Sequence, residues 1–168
     1  MKVKSLTKFA AIALLSFGTA IAIVKPDTIQ HIQQSVSEAI AGEAAYAQSA
    51  SVGGPLAKKL QGKPVVIDIY ASWCPACKNI APTLSQLKQQ YAGKVHFVVL
   101  DVSDRASTAQ SEAIAQELGL SDFFAANKNR TGSVTIVEPS TGKILSQNYN
   151  NPNKSTYTRV LDAALASR

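Results

Sequence analysis

One short stretch, residues 68–82, limits what this chain can fold into more than any other. It reads Asp-Ile-Tyr-Ala-Ser-Trp-Cys-Pro-Ala-Cys-Lys-Asn-Ile-Ala-Pro and holds the only two cysteines of the chain, Cys74 and Cys77, together with its only tryptophan. A run of β-formers precedes it and apolar residues at helical spacing follow it, so both thiols fall at the first turn of a predicted helix. A helix N-terminus lowers the pKa of a thiol through its free N–H groups and its dipole. The pattern therefore predicts a reactive dithiol.

The two cysteines are expected to have different roles. Cys74 lies at the end of the predicted helix, and Cys77 lies one turn further along on the same side. We therefore expect Cys74 to attack a disulfide and Cys77 to resolve the mixed disulfide. Pro75 fits the first helical position, where its missing N–H costs nothing and its fixed φ helps to start the helix. Two inert buried cysteines are the alternative, but a Cys-x-x-Cys between a strand and a helix favours redox chemistry.

Asp68 is the third candidate catalytic residue. It interrupts the apolar strand predicted over residues 65–70, and carboxylates are rarely buried without a partner. A buried, unpaired carboxyl has a raised pKa and can pass a proton. Because Asp68 precedes Cys74 by one strand-to-helix turn, we expect it to approach Cys77 from below as its general acid or base. An aspartate at a solvated strand end is the alternative.

Composition excludes several other functions. The chain has 168 residues, a net charge of +6 and 46% hydrophobic residues, which suits one soluble domain after an N-terminal extension. No cluster of Lys and Arg is interleaved with aromatic residues, so nucleic-acid binding is not supported. A structural zinc site needs about four ligands, and His31 and His96 do not complete one with the two cysteines. We therefore expect no metal site.

The first 55 residues are predicted to direct the domain out of the cytoplasm and to connect it to the export segment. Residues 1–25 combine a basic start with an uncharged apolar run at 9–24, which indicates a signal peptide or an uncleaved membrane anchor. Either one places the domain outside the cytoplasm, on the periplasmic or lumenal side. Residues 26–55 carry a weak amphipathic helical pattern and end in a Gly-Gly-Pro linker, so they are expected to form a stalk and linker.

Residues 56–168 are predicted to form one α/β domain. Strands are expected at 65–70, 95–102, 133–137 and 143–147, and helices at 75–91, 106–118 and 156–166. Residues 120–132 are less decided, with a short helical turn followed by a loop. The β-α-β part implies parallel strands with a right-handed crossover, and the later hairpin adds antiparallel strands. The predicted fold class is thus a mixed central sheet flanked by helices on both faces.

The stretch from Val65 to Pro82 resembles the active-site segment of the thioredoxin superfamily. Gly62-Lys63-Pro64 before the strand and Pro75 after the first cysteine are more similar to the exported TlpA/ResA type. The resemblance covers roughly residues 56–167, and residues 62–82 are its specific part. It implies a thioredoxin fold, no bound cofactor, and dithiol–disulfide exchange with protein substrates. By the same match, Trp73 and Pro75 contact the partner, and Pro82 is the helix-kinking proline.

One departure from the family concerns the loop that faces the thiols. The superfamily usually has a cis-proline there, whereas this chain places Val134, or with a one-residue shift Ser133, in the corresponding position. The resemblance implies that these two residues bind substrate. Residues 120–130 are similar to an insertion into a minimal thioredoxin, which either shapes partner choice or is a longer surface loop.

The sequence thus predicts an exported thiol–disulfide oxidoreductase that acts on protein thiols and disulfides. Resemblance to the TlpA type favours a reductant, fed by a membrane thiol-electron conduit. The alternative is a module that binds or delivers a soft metal such as Cu(I) through the same two thiols, which a missing cis-proline would leave more accessible.

Overall fold

Strands and helices follow one another in the order β-α-β-α-α-β-β-α. The computed structural model describes residues 50–168. Their elements are β1 (Val65–Tyr70), α1 (Pro75–Gln90), β2 (His96–Asp101), α2 (Arg105–Leu118), α3 (Ser121–Asn127), β3 (Ser133–Glu138), β4 (Lys143–Tyr149) and α4 (Lys154–Ala166), after a short 3-10 helix at Lys58–Leu60. The predicted order is correct, and α3 is the short helix in the stretch that the sequence left undecided.

The four strands form one mixed sheet in the order β2-β1-β3-β4. β1 runs parallel to β2, while β3 is antiparallel to both β1 and β4. The predicted mixed sheet is therefore confirmed. β1 lies inside the sheet, and every residue in it except Tyr70 is buried. This explains why the strand is almost entirely apolar, as both of its faces are covered.

Alternate residues of β1 face two different hydrophobic clusters, one on each side of the sheet. Ile67 and Ile69 face a cluster completed by α2 and α3. Val66 faces the other cluster, which α1 and α4 complete. The members that the helices contribute are Ala115, Leu118, Phe123 and Phe124 on the first face, and Ile80, Leu84, Leu87, Tyr157 and Leu161 on the second. Helices thus cover both faces of the sheet, as predicted.

The helix ends follow from local sequence. Asp104 accepts a hydrogen bond from the N–H of Ser107 at the start of α2, and Gly119 ends that helix with a φ of 77°. Asn153 accepts from the N–H of Ser155 at the start of α4. Gly119 directly follows the helix predicted over residues 106–118, whereas α4 begins two residues before its predicted start at residue 156.

Part of the predicted linker packs on the domain. Val52 is buried in the hydrophobic cluster beneath α2 and α3, and its N–H donates to the carbonyl of Gly142 at 2.9 Å. Ile144 donates to the carbonyl of Ala50 at 2.8 Å, which extends the edge of β4. The packed structure therefore begins ahead of residue 56. The signal or anchor segment at 1–25, and the stalk up to residue 49, lie outside the described residues.

Among residues 50–168, none of the helices has both the length and the apolar character needed to cross a membrane.

Substitution of Gly142 would test how closely the segment that precedes β1 packs against the turn between β3 and β4. It has a φ of +73°, and a Cβ there would overlap the backbone of Gly54. Gly93 has the same φ of +73° with nothing within 4 Å of a Cβ, so it is a matched control. We expect Gly93→Ala to lower the free energy of unfolding by about 1 kcal/mol and Gly142→Ala by about 2–4 kcal/mol. Urea unfolding of the full chain measures both, and equal losses would contradict the close approach.

Candidate active site

Cys74 is the N-cap of α1. Its backbone is extended, with φ −80° and ψ 116°, and Pro75 occupies the first turn, as predicted. The Cys74 N–H donates to the carbonyl of Ala71 at 3.1 Å, which closes the turn between β1 and the helix. The Cys74 Sγ accepts a hydrogen bond from the N–H of Cys77 at 3.1 Å. A cysteine sulfur thus takes the place of the usual Ser, Thr or Asp oxygen at a helix N-terminus.

The surroundings of Cys74 favour its thiolate. Burial alone would raise the pKa of this thiol, but hydrogen bonds from Cys77, from the side chain of Thr131 and from the backbone of Cys77 and Ala76 outweigh burial and lower the pKa. These donors are aimed at the sulfur before any charge develops on it. Cys74 is therefore suited to attack a disulfide at neutral pH.

Cys77 has the opposite environment. It is buried, and its Sγ lies 3.8 Å from the carbonyl oxygen of Ile69. Burial raises the pKa of Cys77 to about 12, together with the hydrogen bond that its thiol shares with Cys74 and the negative charges of Cys74 and Asp68. Cys77 therefore stays protonated while Cys74 is a thiolate. Both thiols are free, so the structure shows the dithiol form.

Asp68 lies in the middle of β1 with only 7% of its surface exposed. Its Oδ1 is buried and has no hydrogen-bond partner among the described residues. Burial raises the pKa of the carboxyl to about 6, against the opposing effect of the Lys88 cation. A cleft of about 320 Å³ is lined by both Asp68 and Cys77. The predicted approach of this carboxyl to the deeper thiol agrees with that shared cleft.

Trp73 is 60% exposed beside the dithiol, so it is available for contact with a partner. Its Nε1 donates to the carbonyl of Ser103 at 3.0 Å, and the N–H of Ser72 donates to the Ser103 Oγ at 2.8 Å. Ser103 in turn is held by the carboxylate of Asp101. Sequence reasoning missed Ser103. Its position just after β2 could have indicated that it lies near the dithiol turn, because parallel neighbouring strands end at the same edge of a sheet.

The two residues expected to face the thiols do not lie at the surface. Ser133 and Val134 are the first residues of β3, and their side chains are 0% and 1% exposed. Val134 belongs to the hydrophobic cluster shared with α1 and α4. All peptide bonds of the described residues are trans. The domain itself therefore covers both side chains.

The loop residues that do reach the dithiol turn are Thr131 and Gly132, immediately before β3. The Thr131 side chain is close enough to the Cys74 sulfur to lower the pKa of that thiol. A Cβ on Gly132 would lie 2.6 Å from the Cβ of Ala76 and 3.3 Å from the backbone nitrogen of Cys77, so the loop passes too close to the first turn of α1 for a side chain at this position. The resemblance placed the facing residues at Ser133 and Val134, one to three positions later in the chain, where β3 has already begun and every residue up to Val137 is buried.

Within residues 50–168, no group of three or more His, Cys, Asp or Glu side chains is arranged to hold a metal ion.

Comparison with known proteins agrees with this geometry. Residues 55–134 match the family model described as Thioredoxin. Thioredoxin C-2 of Corynebacterium nephridii is 50% identical over 46 residues, which are 27% of this chain and 43% of that protein. The Thiol:disulfide interchange protein TxlA homolog of Synechocystis is 43% identical over 51 residues, 30% of this chain and 28% of that protein.

Thioredoxin-like protein HCF164 of Arabidopsis thaliana is 46% identical over 43 residues, 26% of this chain and 16% of that protein. The chain thus spans less than half the length of each of these three relatives. At the level of the domain, the predicted enzyme class of thioredoxin-like thiol–disulfide oxidoreductase is confirmed. The match over residues 55–134 and the mixed four-stranded sheet covered by helices show that this domain has the thioredoxin fold.

Proposed function

We propose that this protein is an exported thiol–disulfide oxidoreductase that reduces disulfides of other proteins. The observation that carries the proposal is the opposed pKa directions of its two thiols, lowered for Cys74 and raised to about 12 for Cys77. One sulfur is therefore ready to attack, while the other holds its proton until a mixed disulfide forms. The named activity of the TxlA relative, thiol:disulfide interchange, supports the same reaction.

The exchange takes place in two steps. The Cys74 thiolate attacks a substrate disulfide, which forms a Cys74–substrate disulfide and releases one substrate thiolate. Cys77 then loses its proton and attacks the Cys74 sulfur, which forms the Cys74–Cys77 disulfide and releases the second substrate thiolate. The substrate gains two electrons, which the two cysteines lose. Its two thiolates take up two protons, one released by Cys77 in the second step and one from solvent, where the proton of Cys74 went when its thiolate formed.

Asp68 removes the proton in the second step. A thiol with a pKa near 12 is a poor nucleophile at neutral pH, so the resolving step needs a base close to Cys77. The Asp68 carboxyl, with a pKa raised to about 6, is mostly ionised at pH 7 and still basic enough to accept a proton. It lines the same cleft as Cys77, and its Oδ1 has no other partner among the described residues.

The kind of groups that stabilise the Cys74 thiolate supports a role as a reductant. Hydrogen bonds alone lower the pKa of this thiol, and no cationic side chain of residues 50–168 contributes to the effect. Strong oxidants of this superfamily need a heavily stabilised thiolate, because that stabilises their reduced form. The absence of a cation among the groups that lower this pKa is the reason for which we favour a reductant.

The proposed location depends on residues 1–25, whose basic start and apolar run favour export to the periplasmic or lumenal side. The domain is then either released by cleavage or anchored through residues 9–24. A reductant outside the cytoplasm must be re-reduced there, so its own partner would be a membrane thiol-electron conduit. This agrees with the resemblance of residues 62–82 to the TlpA/ResA type.

The division of labour between the thiols is tested by trapping. We expect Cys77→Ser to accumulate mixed disulfides through Cys74, because the resolving thiol is gone, and Cys74→Ser to trap nothing. Non-reducing gels with insulin as the disulfide substrate detect the adducts. Better trapping by Cys74→Ser would reverse the assigned roles. If the wild-type chain reduces no insulin and binds Cu(I) tightly instead, the metal-delivery alternative replaces the proposal.

The direction of electron flow is tested by the reduction potential of the Cys74–Cys77 pair. Equilibration of the full chain with glutathione buffers should give a value near about −270 mV, typical of a thioredoxin reductant. A value near about −120 mV, typical of a strong periplasmic oxidant, would contradict the reductant role without affecting the exchange chemistry.

The cost of burying Asp68 gives a prediction about stability. Its pKa rises from 3.8 to about 6 on folding, so the folded state loses stability as the pH rises through this range, by about 3 kcal/mol in all. Asp68→Asn removes the ionised form. We expect this variant to be more stable than wild type at pH 8 by about 2–3 kcal/mol, with a smaller difference at pH 4, and to resolve mixed disulfides more slowly.

Urea unfolding at the two pH values measures the stability difference, with the exposed Asp122→Asn as the control. A gain that does not change between pH 4 and pH 8 would show that folding does not shift the pKa of Asp68.

A further inference from the structure

A cavity of about 290 Å³, the Trp73 cavity, lies directly beside the dithiol. Two of its lining residues belong to the surroundings of the reactive thiol, since Trp73 precedes Cys74 in the chain and the Thr131 side chain lies near the Cys74 sulfur. Val102 and Thr108 line it from the end of β2 and the start of α2. The volume is at the lower end of the range for ligand pockets, so the cavity has room for one side chain of a bound protein.

The remaining wall of the Trp73 cavity comes from the end of the segment that resembles an insertion, residues 120–130. Lys128 and Asn129 directly follow α3 and line the cavity. This wall is held in place, because Phe123 and Phe124 of α3 are buried in the hydrophobic cluster shared with α2. The N–H of Lys128 also donates to the carbonyl of Phe124 at 2.8 Å. The insertion therefore adds a fixed, polar wall next to the dithiol.

Lys128 gives the Trp73 cavity a positive charge. Of the described residues that line the cavity, it is the only charged one. Its Nζ lies 3.2 Å from the Oε1 of Glu112, in an ion pair whose side chains are 38% and 55% exposed. Exposed pairs of this kind contribute little free energy, and an ammonium group has three donors. Lys128 is therefore able to bind a second carboxylate that enters the cavity.

The carboxylates at the end of β2 and at the start of α2 are bound elsewhere. Asp101 accepts hydrogen bonds from the N–H and the hydroxyl of Ser103. Asp104 accepts a hydrogen bond from the N–H of Ser107. Neither carboxylate lines the Trp73 cavity. A group that enters the cavity thus meets one cation and, among the described residues, no carboxylate.

We propose that the Trp73 cavity is a specificity site, which receives an acidic side chain next to the reacting cysteine of a disulfide substrate. The methylene groups of a glutamate fit against the Trp73 ring and Val102. Its carboxylate fits the Lys128 ammonium and the Asn129 amide, and a hydrogen bond between charged groups is stronger than one between neutral groups. The inference rests on the proposed function and narrows its substrates to proteins with an acidic residue beside the disulfide.

Lys128 acts on the substrate and not on the thiol. The groups that lower the pKa of Cys74 include Thr131, but no cation is among them. A change of charge at Lys128 is therefore expected to alter the choice of substrate and to leave the acidity of Cys74 as it is. Alkylation of Cys74 by iodoacetamide over a series of pH values checks this point in each variant.

The first readout uses disulfide-linked dimers of short peptides with one cysteine. Three peptides carry glutamate, glutamine or lysine on both sides of the cysteine, and chromatography follows their reduction by the reduced full chain. Each rate is divided by the rate of dithiothreitol with the same dimer, which removes the effect of charge on the disulfide itself. We expect the wild type to favour glutamate over glutamine by about threefold and over lysine by about tenfold, as for an exposed charge pair.

Variants assign this preference to the cavity. Lys128→Gln should remove it, and Lys128→Glu should reverse it in favour of the lysine peptide. Lys59→Gln is the matched control, because Lys59 also pairs with a glutamate of α2, Glu117, but does not line the cavity. Arg130→Gln controls for general attraction, since Arg130 is an exposed cation nearby in the chain that does not line the cavity either. Both controls should keep the wild-type preference, whereas a peptide with its glutamates four residues from the cysteine should not be favoured.

The second readout needs no disulfide exchange. The 15N-labelled full chain is titrated with the same peptides in which serine replaces cysteine, and NMR follows the Trp73 indole N–H and the Asn129 side-chain amide. We expect both signals to shift with the glutamate peptide and neither to shift with the lysine peptide.

Equal normalised rates for the three peptides in the wild type would overturn the inference, as would an unchanged preference in Lys128→Gln. An equal loss of preference in Arg130→Gln would show general attraction instead of a site. If the wild type reduces none of the peptides, the proposed function fails. The NMR titration then decides on the cavity alone, and the absence of shifts with the glutamate peptide would refute the site.

Discussion

The site depends on the hydrogen bond that the Cys77 N–H donates to the Cys74 sulfur. This bond caps α1 and stabilises a thiolate at the same time, so the start of the helix and the reactivity of Cys74 have one physical origin. The rest of the domain keeps this helix end in place. β1 lies inside the sheet and leads directly into this turn. The apolar clusters on the two faces of the sheet fix the direction in which α1 leaves the turn. Stability of the fold and chemistry of the thiol are therefore not separable at this turn.

Three groups that are close together in sequence have different acidities in the fold. Asp68, Cys74 and Cys77 lie within ten residues of one another. The pKa of Cys74 is lowered by converging donors, while burial raises the pKa values of Cys77 and Asp68. A nucleophile, a proton donor and a base are thus created from two thiols and one carboxyl by the different balance of hydrogen bonds and burial around each group.

The parts of this arrangement that are local in sequence could be predicted. The Cys-x-x-Cys spacing, Pro75 at the first helical position and a single charge within an apolar strand each have a meaning that needs no knowledge of distant contacts. The mixed sheet followed from the order of its elements. In contrast, Ser103, Thr131 and Lys88 act on the site from other elements or from another turn of α1. Their roles depend on the register of β1 with β2 and β3 and on where β3 begins, which sequence patterns specify only to within one or two residues.

That limit also explains the misplaced loop residues. Matching the family pattern assigned the substrate-facing position to Ser133 or Val134, but the strand has already begun there and both side chains are buried. The residue that packs against the dithiol turn is Gly132, which has no room for a side chain. Any side chain at this position would meet Ala76 and would push the loop away from the dithiol turn, so glycine is what permits the close approach. Thr131 is not limited in this way. A different hydrogen-bond donor at this position could therefore change the acidity of Cys74 while the loop stays in place.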